Sequence, residues 1–99
     1  MANWSTEYMR EKFRQAVFVL ATGEGDARSR VYDAHNSFLH IHHNDLPAEL
    51  RAYREEIDHL LTRLGGTPGY IIPENLRRMK NKTASKIAGL IFAIYMGFR

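Results

Sequence analysis

Apolar residues recur at intervals of three or four positions through most of the chain, and this spacing constrains the fold more than any other feature of the sequence. An α-helix completes one turn in 3.6 residues, so such a spacing places apolar side chains on one face of a helix. The repeats are Met9, Phe13, Val17 and Leu20; Ala27, Val31, Ala34, Phe38 and Ile41; Leu50, Tyr53, Ile57, Leu60, Leu61 and Leu64; and Ile87, Leu90, Ile91, Ile94, Tyr95 and Phe98. No segment alternates for long enough to predict a β-strand. The sequence therefore predicts an all-α protein.

Residues that cap or break helices divide this pattern into separate elements. Ser5 and Asp26 are expected to cap the first and second helices, because their side-chain oxygens can accept hydrogen bonds from first-turn amides. The stretch "TGEG" at 22–25 supplies a tight reversal between those helices. Pro47 suits the first turn of a third helix, and Gly65 suits its end.

The longest irregular stretch is "GGTPGYIIP" at 65–73. Residues 70–72 are too apolar for a free loop, so we expect them to lie on the core. Pro73 is expected to open a short helix, and Asn81 or Thr83 is expected to cap the final one.

A chain of 99 residues can build one hydrophobic core but not two. With 44% hydrophobic and 25% charged residues it falls outside the disordered class, and no linker or internal repeat divides it. We predict a single domain over residues 1–99, a compact bundle of four to five helices. The last helix is expected either at the centre of the bundle or at a dimer interface.

Neither a signal peptide nor a membrane span is indicated. The first 15 residues become charged before an apolar segment of signal-peptide length has formed. The longest nearly uncharged stretch, 87–98, has 12 residues, whereas a span needs roughly 20. Its polar face is also too thin for a helix lying on a membrane surface. We predict a soluble, cytoplasmic protein without a membrane partner.

Charge is distributed unevenly along the chain. Residues 1–74 hold eight Lys/Arg against 11 Asp/Glu, whereas residues 75–99 hold six Lys/Arg and no acid. Five of these cations fall within ten residues: Arg77, Arg78, Lys80, Lys82 and Lys86. Because cations are unfavourable at the start of a helix, an anion is expected opposite them. We predict that these residues bind an acidic protein surface or a phosphate.

The sequence leaves four possible sources of that anion open. The acidic helices of the same chain, or of a second copy, can lie against the cations, or a partner protein can supply carboxylates. A nucleic-acid backbone is the alternative, with the cations as phosphate contacts. The segment lacks interleaved aromatic residues, and the final helix is too apolar to read bases. Protein is therefore the preferred partner and nucleic acid the second.

The final helix is apolar nearly all round. Such a helix is either central in its bundle or covered by a partner. Phe92, Met96 and Phe98 are the predicted apolar interface, either with a second copy in a homodimer or with another protein. The predicted function is a small protein-binding module or regulatory subunit. The alternative is a phage or bacterial nucleic-acid-binding protein using the basic segment from Arg77 to Lys86.

No catalytic constellation is recognisable, so an enzyme and a cofactor are not expected. The chain has no cysteine, which excludes a disulfide framework and a thiolate zinc site. His40 and His43 lie three residues apart, and His59 is the nearest further candidate for a metal-dependent site. Without a clear motif to supply more ligands, we predict no metal site and interpret the histidines as a polar helix end.

Two stretches, "MREKFRQAVFVLATGEGDARSRVYDA" and "LRRMKNKTASKIAGLIFAIY", resemble the two ends of small all-helical proteins found in bacteria and their prophages. Together they cover nearly half of the chain. In that group the last helix often begins with acidic residues just after the methionine, whereas here Lys80, Asn81 and Lys82 follow Met79. The resemblance implies the helical fold and a bacterial or phage setting, and it brings no activity.

Overall fold

A computed structural model describes residues 4–98, and in this range the chain forms five α-helices and two short 3₁₀ turns. The helices are α1 (Thr6–Thr22), α2 (Ala27–Phe38), α3 (Arg51–Thr62), α4 (Ile71–Arg78) and α5 (Asn81–Gly97), and the 3₁₀ turns are His43–Asp45 and Ala48–Leu50. No β-strand occurs in the described range. The predicted all-α bundle of four to five helices is therefore confirmed.

The first two helices form an antiparallel pair, with the two N-caps predicted from the sequence. The Ser5 hydroxyl accepts a hydrogen bond from the Tyr8 amide at 3.1 Å, and an Asp26 carboxylate oxygen accepts one from the Ser29 amide at 3.1 Å. Gly25, in the turn between the helices, has a φ of 88°, which glycine adopts without a steric penalty. Both caps satisfy amides that have no partner inside their helix.

Helix α5 packs against α1, α2 and α3, so the last helix lies at the centre of the bundle. Ile87, Ile91 and Ile94 on its inner face are fully buried. One hydrophobic core joins side chains from all five helices. The Cα radius of gyration is 12.8 Å, close to the value of about 13 Å expected for a compact domain of this length.

The connection between α3 and α4 is organised by one buried amide side chain. Asn75 accepts a hydrogen bond from the Leu64 amide at 2.9 Å and donates to the carbonyls of Gly65 at 2.8 Å and Ile71 at 2.7 Å. Its side chain is completely buried. Three backbone groups that lie beyond regular secondary structure or at a helix start are satisfied in this way.

The start of α4 differs from the prediction. The helix begins at Ile71, so Pro73 is its third residue; the missing amide is harmless there, since first-turn amides have no helical partner. Ile72 packs partly on the core as expected, but Tyr70 is 63% exposed. The expectation that residues 70–72 all lie on the core was therefore wrong for Tyr70.

The cap of α5 also differs. Lys80 occupies the N-cap position, and no side chain accepts a hydrogen bond from the first turn. Asn81 and Thr83, the predicted caps, are both inside the helix. Its N-terminus is therefore left with cations and without a side-chain acceptor.

Candidate functional site

The five predicted cations lie where the end of one helix meets the start of the next. Arg77 and Arg78 are in the last turn of α4, Lys80 caps α5, and Lys82 and Lys86 lie in its first two turns. All five side chains are exposed. We call these five residues the basic rim. Arg77 and Arg78 stand at the electronegative end of α4, whereas Lys80 and Lys82 stand at the electropositive end of α5.

The protein's own acidic helix neutralises one member of the rim. Glu56 of α3 lies 3.4 Å from the ammonium of Lys86, and both side chains are well exposed. An exposed pair of this kind stabilises a fold by about 0 to 1 kcal/mol. Within residues 4–98, no carboxylate oxygen lies within 4.0 Å of a charged nitrogen of Arg77, Arg78, Lys80 or Lys82. Four members of the rim are thus free to meet an external anion.

A further arginine, Arg28, hydrogen-bonds to carbonyl groups at the C-terminal end of α4, next to the basic rim. Arg28 donates from Nη1 to the carbonyls of Arg77 at 3.2 Å and Met79 at 3.5 Å, and its other nitrogens bind Asp26. The field of the rim also reaches the start of α4, where the pKa of Glu74 is lowered. The largest cause of that lowering is a hydrogen bond from the Thr67 amide, to which Arg77 and Arg78 add. Positive charge therefore dominates this corner of the molecule.

The side of α5 that faces away from the core has a cation of the basic rim at its start and two apolar side chains near its end, which we call the apolar strip. Lys82, Ser85, Gly89, Phe92 and Met96 follow one another at spacings of three, four, three and four, so they share one face. We call these residues the outer face of α5. Phe92 is 50% exposed and Met96 48% exposed. A Cβ atom added at Gly89 would meet nothing within 4 Å, so the middle of the face is open.

Phe98 does not belong to this face, which corrects its predicted place in the apolar interface. Its side chain is only 6% exposed, and its ring stacks on Phe13 with the centroids 6.1 Å apart. Phe13 in turn stacks on Phe38 at 4.4 Å. Three aromatic rings from different parts of the chain thus fill the core at this point, and only Phe92 and Met96 of the predicted trio are accessible.

The histidines do not converge on a metal site. Among residues 4–98 no three His, Asp or Glu side chains come together as a metal ion would require, so His40, His43 and His59 do not share one. The Nε2 atom of His40 lies 2.8 Å from the Tyr8 hydroxyl in a hydrogen bond, and its ring meets the edge of Trp4. These contacts of His40 therefore link the start of α1 to the segment that follows α2.

Two buried polar residues were not identified from the sequence. Arg54 is only 2% exposed; it donates from Nε to the Ile41 carbonyl at 3.0 Å, pairs with Asp58, and stands 5.0 Å from the centre of the Phe38 ring. His35 is 4% exposed and also packs against Phe38. The signal for Arg54 was its position three residues before Ile57, on the apolar face of α3.

Burial of His35 has an electrostatic consequence. Desolvation lowers the pKa of its imidazole to about 4; the nearby charge of Arg54 adds to this effect, and that of Asp58 opposes it. The side chain is therefore a neutral imidazole at pH 7.

No protein-family model, curated protein or solved structure matches the chain. The resemblance to helical proteins of bacteria and prophages is accordingly a prediction. Within the described residues, no helix has both the length and the apolar character needed to cross a membrane.

Proposed function

We propose that the protein is a small protein-binding module or regulatory subunit. It binds through the outer face of α5 together with the basic rim, and its partner is a protein segment that combines apolar side chains with carboxylates. The observation that carries this proposal is the continuity of the two surfaces. Lys82 lies in line with the half-exposed Phe92 and Met96 on the same helix face.

Gly89 supports a close approach by the partner. A glycine in the middle of an exposed helix face lowers helix stability by roughly 0.5 to 1 kcal/mol relative to alanine. Nothing among residues 4–98 requires the absence of a side chain there, since the space above Gly89 is open. The open space above Gly89 and the exposed ring of Phe92 beside it together form a surface on which a partner helix or strand can pack.

The charge of the rim sets the chemistry of the partner. Four of its cations have no carboxylate partner within residues 4–98. The apolar side chains of the outer face begin at Phe92, about three helical turns beyond Lys82. Complementary carboxylates on the partner would raise the association rate and fix its direction along α5. A regulatory partner with an acidic, amphipathic segment satisfies both requirements.

The proposal is tested by comparing the wild-type protein with variants of the outer face. Immobilised protein captures partners from a lysate of the cells that encode it, and quantitative mass spectrometry identifies them. Phe92→Ser combined with Met96→Ser, or Gly89→Gln alone, should abolish capture of the same proteins. The matched control is Phe18→Ser, which removes an aromatic residue that is 60% exposed on α1.

Light scattering of each variant shows whether the captured partner is a second copy. The proposal requires that Phe18→Ser retain the partners that the outer-face variants lose. Identical captured sets for all variants, together with a monomeric wild-type protein at all concentrations, would contradict it.

A second function, binding of a nucleic-acid backbone, is favoured by one observation. The first turn of α5 has no side-chain acceptor, and Lys80 and Lys82 flank its free amides, an arrangement that suits a phosphate. Binding would weaken steeply with salt, because each neutralised phosphate releases a counterion. A gel-shift titration at about 50 mM and about 200 mM salt, roughly a fourfold range, separates the two functions. Absence of retardation at the lower concentration would remove this alternative.

A further inference from the structure

A cavity of about 440 Å³ lies between α2 and α4, on a different side of the molecule from the outer face of α5. Leu39, which directly follows α2, and Ile71, Ile72 and Pro73 of α4 supply most of its apolar wall. Its size falls within the range of about 300 to 1,000 Å³ that is usual for small-molecule sites. No Lys, Arg, Asp or Glu side chain lines it.

His35 lines this cavity together with the polar residues Tyr32, Asn36 and Thr62. The side chain is only 4% exposed. Within residues 4–98 the one fully buried side-chain nitrogen or oxygen without a hydrogen bond is Nε of Arg30, so solvent reaches the ring nitrogens of His35. A ligand bound in the cavity can replace this water with a hydrogen bond of its own. The ring also packs against Phe38, with the centroids 5.3 Å apart and the two rings nearly perpendicular.

We propose that the cavity between α2 and α4 binds a small, uncharged, largely apolar molecule through a hydroxyl group that hydrogen-bonds to His35. A neutral imidazole has one donor and one acceptor nitrogen. A hydroxyl group can both donate and accept, so it fits whichever nitrogen faces the cavity. Alcohols and phenols are therefore the chemical class that matches the site.

The same geometry disfavours charged ligands. An anion would find no cation in the lining, and transferring a charge from water into an apolar site is unfavourable without a partner. The neighbouring cavity, of about 490 Å³, differs in this respect because Asp26, Arg28, Asp33 and Arg77 line it. The proposed ligand chemistry therefore applies to the cavity lined by His35 and not to the neighbouring cavity.

Three probes of nearly equal size test the proposal: 2-naphthol, naphthalene and 2-naphthoate. Each is titrated into isotopically labelled full-length protein and followed by the amide and imidazole NMR signals. We expect 2-naphthol to shift the signals of Tyr32, Leu39, Ile72 and the His35 ring saturably. We expect it to bind about three- to tenfold more tightly than naphthalene, as one neutral hydrogen bond allows. 2-Naphthoate should bind least well.

Two variants distinguish the contribution of the hydrogen bond to His35 from that of the free volume of the cavity. His35→Phe should reduce the affinity for 2-naphthol to that for naphthalene, whereas His59→Phe, at an exposed position on α3, should change neither. Leu39→Trp fills the mouth of the cavity from a residue that is 53% exposed, and it should prevent binding without unfolding the protein. It therefore keeps the test decisive even if His35→Phe does not fold.

Three results would overturn the proposal. The first is that no probe shifts these signals saturably, and the second is that 2-naphthoate binds as tightly as 2-naphthol. The third is that 2-naphthol binds to Leu39→Trp with the affinity that it has for the wild-type protein.

Discussion

At the scale of single residues, hydrogen bonds from the side chain of Asn75 stabilise the connection between α3 and α4. Its amide forms three hydrogen bonds with the backbone and has no exposure to solvent. Replacing it by leucine keeps a similar volume but leaves the backbone groups of Leu64, Gly65 and Ile71 without these partners. We expect Asn75→Leu to lower the free energy of unfolding by about 2 to 4 kcal/mol.

Urea denaturation followed by circular dichroism measures this change. Asn81→Ala is the matched control, because Asn81 is exposed at the start of α5 and is not a side-chain cap. The control should differ from the wild-type protein by less than about 0.5 kcal/mol. A loss at Asn75 no larger than that of the control would show that the connection does not depend on the amide.

His35 makes the stability of the protein depend on pH. Its pKa is about 4 in the folded protein, against 6.5 for an ordinary histidine, because burial and the charge of Arg54 outweigh the attraction of Asp58. Between these values the unfolded chain binds a proton that the folded chain does not. Stability from this residue is therefore fully present above pH 6.5 and is lost as the pH falls to 4. The difference corresponds to roughly 3 kcal/mol.

Urea denaturation at several values between pH 7 and 4 measures this dependence. His35→Phe should flatten the pH profile over that window, and His59→Phe should leave it unchanged. If the wild-type and His35→Phe profiles ran parallel, another group would have to be responsible. The pKa values of Asp26 and Glu74 are lowered by their hydrogen bonds, so these carboxylates affect stability at lower pH than His35 does.

At the scale of helices, the two glycines of α5 have opposite surroundings and should respond in opposite ways to the same change. The space above Gly89 is open, so Gly89→Ala should raise the free energy of unfolding by about 0.5 to 1 kcal/mol through helix propensity alone. A Cβ at Gly97 would collide with the side chain of Leu50, which is buried. We expect Gly97→Ala to lower the free energy of unfolding by about 1 to 2 kcal/mol.

Thermal and urea denaturation of the two variants side by side measure the contrast. An equal gain at both positions would mean that Leu50 moves aside without penalty. An equal loss would mean that Gly89 has a role within the folded monomer.

Periodicity in the sequence was enough to predict α1, α2, α3 and α5, because each has an apolar face at helical spacing. The caps Ser5 and Asp26 were also predictable, since each depends on a side chain and an amide three residues away. The N-cap positions of α4 and α5, Tyr70 and Lys80, provide no side-chain cap. Without a capping side chain the local sequence does not mark these positions, and both were predicted wrongly. The start of α3 was predicted wrongly too, since it lies at Arg51 and Pro47 precedes a separate 3₁₀ turn.

At the scale of the whole molecule, the candidate site was predictable in charge but not in shape. The cluster of cations is visible in the sequence, and all five are exposed. Periodicity alone could not separate Phe98, which completes a stack with Phe13, from the accessible Phe92 and Met96. The burial of His35 and the environment of its cavity likewise depend on how α2, α3 and α4 come together. Local pattern thus predicts which residues are apolar or charged, and packing determines which of them a partner can reach.

The basic rim spans two helix ends of opposite polarity, so one kind of substitution should affect stability differently at its two sides. Lys82→Glu removes repulsion from Lys86 and places an acid at the electropositive start of α5. It should raise the free energy of unfolding by about 0.5 to 1 kcal/mol. Arg77→Glu places an acid at the electronegative end of α4 and should lower it by about 0.3 to 1 kcal/mol.

Both substitutions make the same change in net charge, so both should weaken binding of an acidic partner even though their effects on folding are opposite. Urea denaturation measures the stability of each variant, and the capture experiment measures the binding. A variant at Lys82 that is more stable and yet fails to bind would show that this cation is kept for recognition at the expense of the fold. If instead Lys82→Glu gained stability and captured the same proteins as the wild type, the basic rim would have no part in binding, and only the apolar strip around Phe92 would be left as the contact surface.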